Sequence, residues 1–178
     1  MEPQKVVAQV SEWIVESQYS TIQFQIRKLF FTVKGSFAEF DGKIVRDDSD
    51  IRRSTLDVTV RADSITTGNS RRDAHLRSAD FLNTSKYPLL HFESTSVERG
   101  RDRDALRVVG SLTIRGERRD VAFDVIEVDH SRSPQGEEVA YYSARAVIDR
   151  FDFGLRNLRG LVGRTLKITI YVQAMKKN

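Results

Sequence analysis

Segment after segment of this chain alternates apolar and polar residues with a period of two, a pattern that fits β-strands with one face turned inward. The clearest case is the run 165–175, with Leu166, Ile168, Ile170, Val172 and Ala174 on one side and Lys167, Thr169, Tyr171 and Gln173 on the other. Leu106, Val108, Gly110, Leu112 and Ile114 repeat the spacing, as do Val121, Phe123 and Val125, and Tyr142, Ala144, Ala146 and Ile148. Trp13 and Val15, then Ile22, Phe24 and Ile26, and later Leu56, Val58 and Val60, follow the same rule. About eight antiparallel strands result, each with one apolar face, and those faces must be buried together in a closed barrel or a sandwich.

Small residues at inward positions favour the barrel. A sandwich fills its interior with large side chains from two facing sheets, whereas an eight-stranded barrel is just wide enough to be packed or to hold one small ligand. Gly110, Ala144, Ala146, Ser94 and Ser96 fall on inward positions and are expected to leave space. A tubular pocket lined by Phe24, Phe37, Phe92, Leu112, Ile114, Phe123, Tyr142 and Ile168 follows, suited to a long hydrocarbon. The alternative is that the same side chains interdigitate and leave no cavity. Gly35 and Gly42 are expected at bulges or sharp bends, Arg115 to Arg118 in a hairpin loop, and Asp129 to Glu138 in one long flexible loop.

One stretch breaks the alternation. Between Ser64 and Phe92, Ser70 followed by Asp73 has the form of a capping box, so a short helix is expected from near Arg71, with the helical insert covering roughly residues 70–82. Ala74, Leu76, Phe81 and Leu82 would fix it to the body, while Arg71, Arg72 and Arg77 need water or carboxylates. Tyr87-Pro88 forces extended backbone ahead of the next strand.

The run from Thr67 to Phe81, reading Thr-Gly-Asn-Ser-Arg-Arg-Asp-Ala-His-Leu-Arg-Ser-Ala-Asp-Phe, then Tyr87-Pro88 and Phe92, resembles the signature of the YceI family. Val33 to Phe37 with Phe40-Asp41-Gly42, Gly110 to Gly116, Asp149 to Gly154 and the closing stretch from Val162-Gly163 to Lys176 agree in the same order. The resemblance implies an all-β fold, a single antiparallel eight-stranded lipocalin-like barrel over 13–178 behind an N-terminal extension of 1–12. It further implies an amphiphilic ligand, such as a polyisoprenoid, a quinone-like lipid or a fatty-acid derivative, with its chain inside the barrel and no other cofactor. Two departures fall near the expected rim: Lys28 stands where many members have histidine, and Phe30-Phe31 is bulkier than the small residues often found there.

The remaining chemistry is sparse. Asp73, His75 and Asp80 form the one compact acid and imidazole constellation, but Asp73 and His75 are two apart on a helix and do not share a face, so no metal site is expected. Asp73 is read as a cap, His75 as bonded to a backbone carbonyl, and contacts from Arg71, Arg72 or His75 to a polar head group as the sharper possibility. His91 is expected on an outer face and His130 in a loop. No nucleophile elbow, P-loop or dinucleotide fingerprint occurs. The absence of cysteine excludes disulfides and thiolate metal sites, and a net charge of +4 with interleaved signs does not point to nucleic acid. No run approaches the roughly 18 apolar residues of a membrane span. Met1 to Gln9 shows no secretory signal, so a cytoplasmic protein is expected. Three functions are in play: a non-enzymatic lipid carrier, a lipid-modifying enzyme using Asp73 and His75, and a ligand-free homodimeric module using a sheet edge.

Overall fold

A computed structural model describes residues 9–178. The strands are β1 (Val10–Val15), β2 (Thr21–Lys28), β3 (Phe31–Phe37), β4 (Phe40–Asp47), β5 (Thr55–Arg61), β6 (Ile65–Thr66), β7 (Leu89–Arg99), β8 (Ala105–Ile114), β9 (Glu117–Arg132), β10 (Glu138–Asp149) and β11 (Thr165–Lys176). One helix, α1 (Ser70–Arg77), lies between β6 and β7.

These segments make eight staves. β1 and β2 are halves of one long strand broken by a 3-10 turn at Ser17–Tyr19, and they pair in antiparallel fashion with β4 and β3, respectively. β5 and β6 form the next stave, broken at Ala62–Ser64, and pair with β4 and β3. β7 to β11 continue as an antiparallel meander, and β11 returns to pair with both β1 and β2. The ring is therefore closed, the barrel and not the sandwich of the two architectures that the alternation allowed.

Inside, the apolar faces make one large cluster that includes Phe40, Phe92, Leu112, Phe123, Ala144 and Phe153. A second, small cluster of Trp13, Ala140 and Ala174 plugs the end of the barrel where β11 finishes, the floor. At the opposite end, the mouth, lie the 29–30 turn, the insert between β6 and β7, the 115–116 turn and the 150–164 loop.

Local details depart from the sequence reading in ways that packing explains. Gly35 and Gly42 lie within regular ladders; they are glycines because side chains lie on them. A Cβ on Gly35 would sit 2.3 Å from the Phe24 ring, and one on Gly42 would sit 2.7 Å from Val15. Gly110 likewise receives the Phe92 ring, at 2.5 Å from a notional Cβ, so its missing side chain makes room for Phe92 and not for a ligand. Bulges occur instead between Ser94 and Ser96 and between Tyr141 and Tyr142. The first resets the alternation, so that Val97, not Ser96, returns to the interior. The 115–116 turn has left-handed backbone at both Arg115 (φ 50°) and Gly116 (φ 72°), the geometry whose twist matches the flanking strands. The expected long loop shrinks to residues 133–137, because β9 runs to Arg132 and β10 starts at Glu138, which puts His130 in a strand against the edge of Trp13.

In the insert, Asn69 and not Ser70 caps α1, its side chain accepting from the Arg72 N–H at 3.0 Å. Asp73 is the buried residue of the helix, and its carboxylate accepts from the Thr67 N–H (2.9 Å) and the Thr67 hydroxyl, tying the helix back to the loop before it. Ala74 is exposed, so Leu76 and the buried Leu82 attach the insert to the barrel without it, while the buried Phe81 packs edge-on to His75 within the insert.

Candidate ligand cavity

The barrel is hollow. A cavity of about 690 Å³ runs inside it, walled almost wholly by hydrocarbon. Phe24 and Phe37 contribute from β2 and β3, Phe92 from β7, Leu112 and Ile114 from β8, and Phe123 from β9. Tyr142 and Ala144 line it from β10 and Ile168 from β11. Ala146 is the exception: it is buried on the same inward face but does not reach the cavity, its single methyl being covered by the surrounding core. The rings on the wall hold one another, with Phe92 edge-on to Phe123 at 5.1 Å and Phe24 tilted against Phe37 at 5.7 Å.

Polar groups gather at the two ends. At the mouth, Arg71, Arg72 and His75 of α1 line the cavity. Arg72 is committed to the insert, donating to the Thr67 hydroxyl (2.7 Å) and carbonyl (3.0 Å), and His75 Nε2 lies 2.9 Å from Asp80, not against a backbone carbonyl. This leaves Arg71 as the exposed cation of the helix on the cavity rim. Asp73 and His75 do not form one site, since each carboxylate and imidazole is engaged with a different partner. Among the described residues, no group of three or more histidines and carboxylates is placed to hold a metal. His91 pairs with Asp57 at 3.0 Å on the wall.

Towards the floor, the cavity meets an ion pair that the sequence reading passed over. Arg46 Nη1 donates to Glu127 Oε2 at 2.8 Å and to the Tyr142 hydroxyl oxygen at 2.9 Å, and all three residues line the cavity. Burial disfavours the Arg46 cation, but the Tyr142 oxygen, Asp48 and Glu127 outweigh it and hold its pKa above the ordinary arginine value. Burial pushes the Tyr142 phenol up, against the pull of Arg46. A signal was present: Arg46 follows Gly42 and Ile44, and Glu127 follows Phe123 and Val125, at the same inward spacing.

The loop after β10 is arranged around Phe151 at the rim of the mouth. Arg150, Arg156, Arg159 and Arg164 all place their guanidinium groups within 6 Å of that ring, the nearest being Arg164 at 4.6 Å. Arg150 is buried and acts as a clamp, donating to the carbonyls of Gly163 (2.8 Å), Leu155, Asn157 (2.9 Å) and Val162 (3.1 Å). Burial lowers its pKa, partly opposed by Asp149.

Residues 13–174 match the YceI-like domain family. The chain belongs to the YceI family. It is 32% identical to Protein YceI of Escherichia coli O157:H7 over 163 residues, covering 91% of this chain and 84% of the relative. Two solved structures extend the likeness to the fold. The crystal structure of Burkholderia cenocepacia BcnA superposes with a TM-score of 0.81 at 16% identity, covering 89% of this chain and 98% of the other. A polyisoprenoid binding domain from Saccharophagus degradans, implicated in plant cell wall breakdown, does so with a TM-score of 0.66 at 14% identity, covering 93% and 98%. The family expected from the Thr67–Phe81 run and the closed YceI barrel are thus both found.

Proposed function

We propose that this YceI-family chain binds a long-chain amphiphile without chemically altering it, holding the hydrocarbon inside the barrel for sequestration or transport. The observation that carries the reading is the cavity itself, a tube walled almost wholly by hydrocarbon with its charged groups gathered mainly towards the ends. A volume of 690 Å³ has room for on the order of twenty carbon-sized groups, which suits a polyisoprenoid, the tail of a quinone-like lipid or a fatty-acyl chain. The polyisoprenoid binding of the Saccharophagus degradans domain supports that choice of ligand class. Phe24, Phe37, Phe92, Leu112, Ile114, Phe123, Tyr142, Ala144 and Ile168 would contact the chain, and Arg71, with Arg72 and His75 beside it, the head group. The enzyme alternative loses its Asp73 and His75 site because the two side chains face different partners. Ring closure through β1 and β11 leaves the homodimer alternative only short edges such as that of β6, which favours the carrier reading.

Native mass spectrometry of the purified protein, followed by organic extraction, tests the reading. A stoichiometric lipid is expected on the natural chain and markedly less on Ala144→Trp, whose indole obstructs the tube. A bare polypeptide mass that persists after incubation with a lipid extract, or equal occupancy of the two proteins, refutes it.

A further inference from the structure

The mouth of the barrel exposes more hydrocarbon than a wall-forming loop needs. Phe30 is 90% exposed, Phe31 72%, and Leu29 55% at the tip of the β2–β3 hairpin. The 158–163 loop lies beside it. Leu29 N–H donates to the Leu161 carbonyl at 3.0 Å and Gly163 N–H to the Arg27 carbonyl at 2.8 Å, which brings the exposed Leu158 and Leu161 next to the hairpin tip. Two of these leucines also hold backbone that leucine adopts at a cost. Leu29 has φ 52° and Leu158 φ 58°, left-handed values that glycine would take more cheaply. At Leu29 the left-handed backbone carries a large apolar side chain into solvent, and at Leu158 one that sits between solvent and the cavity.

The charge around this tip has one dominant sign. The hairpin 27–34 carries Arg27, Lys28 and Lys34 and no acid, and residues 149–164 carry four arginines against Asp149 and Asp152, so these two segments together outweigh the +4 of the whole chain. Asp149 is already paired with Arg164, and Arg156 and Arg159 lie over Phe151. Protruding phenylalanines and leucines ringed by cations match the interface of an anionic bilayer, where apolar side chains enter the acyl boundary and cations meet phosphate. The same surface continues into the cavity, whose wall includes Lys28, Leu158 and Val162.

We infer that the mouth is a membrane-docking face, the 29–31 tip entering an anionic bilayer while Arg27, Lys28, Arg156 and Arg159 rest on its head groups. Docked in this way, the open end of the tube faces the bilayer, and an amphiphile passes between the two along an apolar path. That passage rests on the carrier reading; docking does not.

Co-sedimentation with vesicles tests it, comparing mixed phosphatidylglycerol and phosphatidylcholine with phosphatidylcholine alone. The natural chain should partition onto the anionic vesicles, and more strongly at about 0.05 M than at about 0.5 M salt. Phe30→Ser with Phe31→Ser should lower that partition by at least about tenfold, since each ring withdrawn from water is worth that much or more. Arg159→Glu, which leaves both rings in place, should weaken binding to the anionic vesicles only. Neither variant touches the cavity wall, so lipid occupancy by native mass spectrometry should be unchanged. A natural chain that binds neither vesicle, or a double variant that binds as well as it, overturns the docking face whatever the occupancy. Dimerisation of the natural chain that the double variant abolishes also overturns it, by assigning the face to a second copy. An empty cavity together with salt-sensitive, phenylalanine-dependent partition supports docking while refuting the carrier reading alone.

Discussion

Replacing Arg150 by methionine should cost this protein more than almost any other single side-chain change. Methionine keeps an unbranched stem but removes every donor from a buried guanidinium that spans four carbonyls, those of Leu155, Asn157, Val162 and Gly163. Hydrogen bonds to a charged group contribute about 1.5–3 kcal/mol each, so the gross loss is about 6–12 kcal/mol. Two effects reduce it. The stretch 156–161 is exposed, so some carbonyls can turn to water, and removing an arginine with no hydrogen-bonded carboxylate recovers several kcal/mol of its desolvation cost. A net loss of about 3–5 kcal/mol remains. With a urea m-value of about 2–3 kcal/mol per M, the unfolding midpoint should fall by about 1–2 M. Trp13 is the sole tryptophan, is buried at the far end of the barrel and so reports global unfolding by fluorescence. Amide exchange should rise selectively across 154–164, and Arg150→Lys should recover part of the loss, since an ammonium offers donors without the planar fork. A midpoint shift equivalent to less than about 1 kcal/mol, with the loop amides as protected as before, would refute the clamp.

Two further outcomes follow from the same geometry. Gly110→Val should destabilise the barrel by about 1–3 kcal/mol in a urea titration and reduce lipid occupancy, because the new side chain meets the Phe92 ring and the Glu93 carbonyl and drives the ring into the cavity. The carboxyl of Asp149 is held below its ordinary pKa by the Arg164 guanidinium and the Phe151 N–H, so its stabilisation is complete above the unfolded value of about 4 and fades as pH falls through the folded one. Asp149→Asn should therefore flatten the acid limb of a stability profile and leave the shape above about pH 6 unchanged.

What the chain disclosed of its fold was the part written in short-range spacing. Period-two alternation is a local property, and it located the staves and marked as inward most of the strand residues that wall the cavity, though not those from the insert and the loops. The helical insert was also local, but its cap falls on Asn69, one residue before the Ser70 that the capping-box spacing indicates, and Asp73 turns back to Thr67 instead. Side chains that meet across the barrel left a weaker trace. The parity of Arg46 and Glu127 marked both as inward, yet nothing within either strand shows that charges 81 residues apart meet. Spacing alone reads Gly35 and Gly42 as bends and Gly110 as open space, because the rings and the valine that need their room come from other residues far along the chain or across the sheet. The arginines around Phe151 sit in a loop without period, where no spacing rule applies.

The seam of the barrel has a kinetic meaning. It joins residues 13–15 to residues 174–176, so the ring cannot shut until the final stave has formed. For a flexible chain, bringing together points roughly 160 residues apart would cost about 4–5 kcal/mol of entropy, which the successive pairings of the earlier staves meet in smaller steps. Until the seam shuts, the other seven staves form an open, curved sheet with two unpaired edges and a concave greasy surface. A hydrocarbon present at that stage would lie in the trough and draw the last stave over it, making the cargo a participant in assembly.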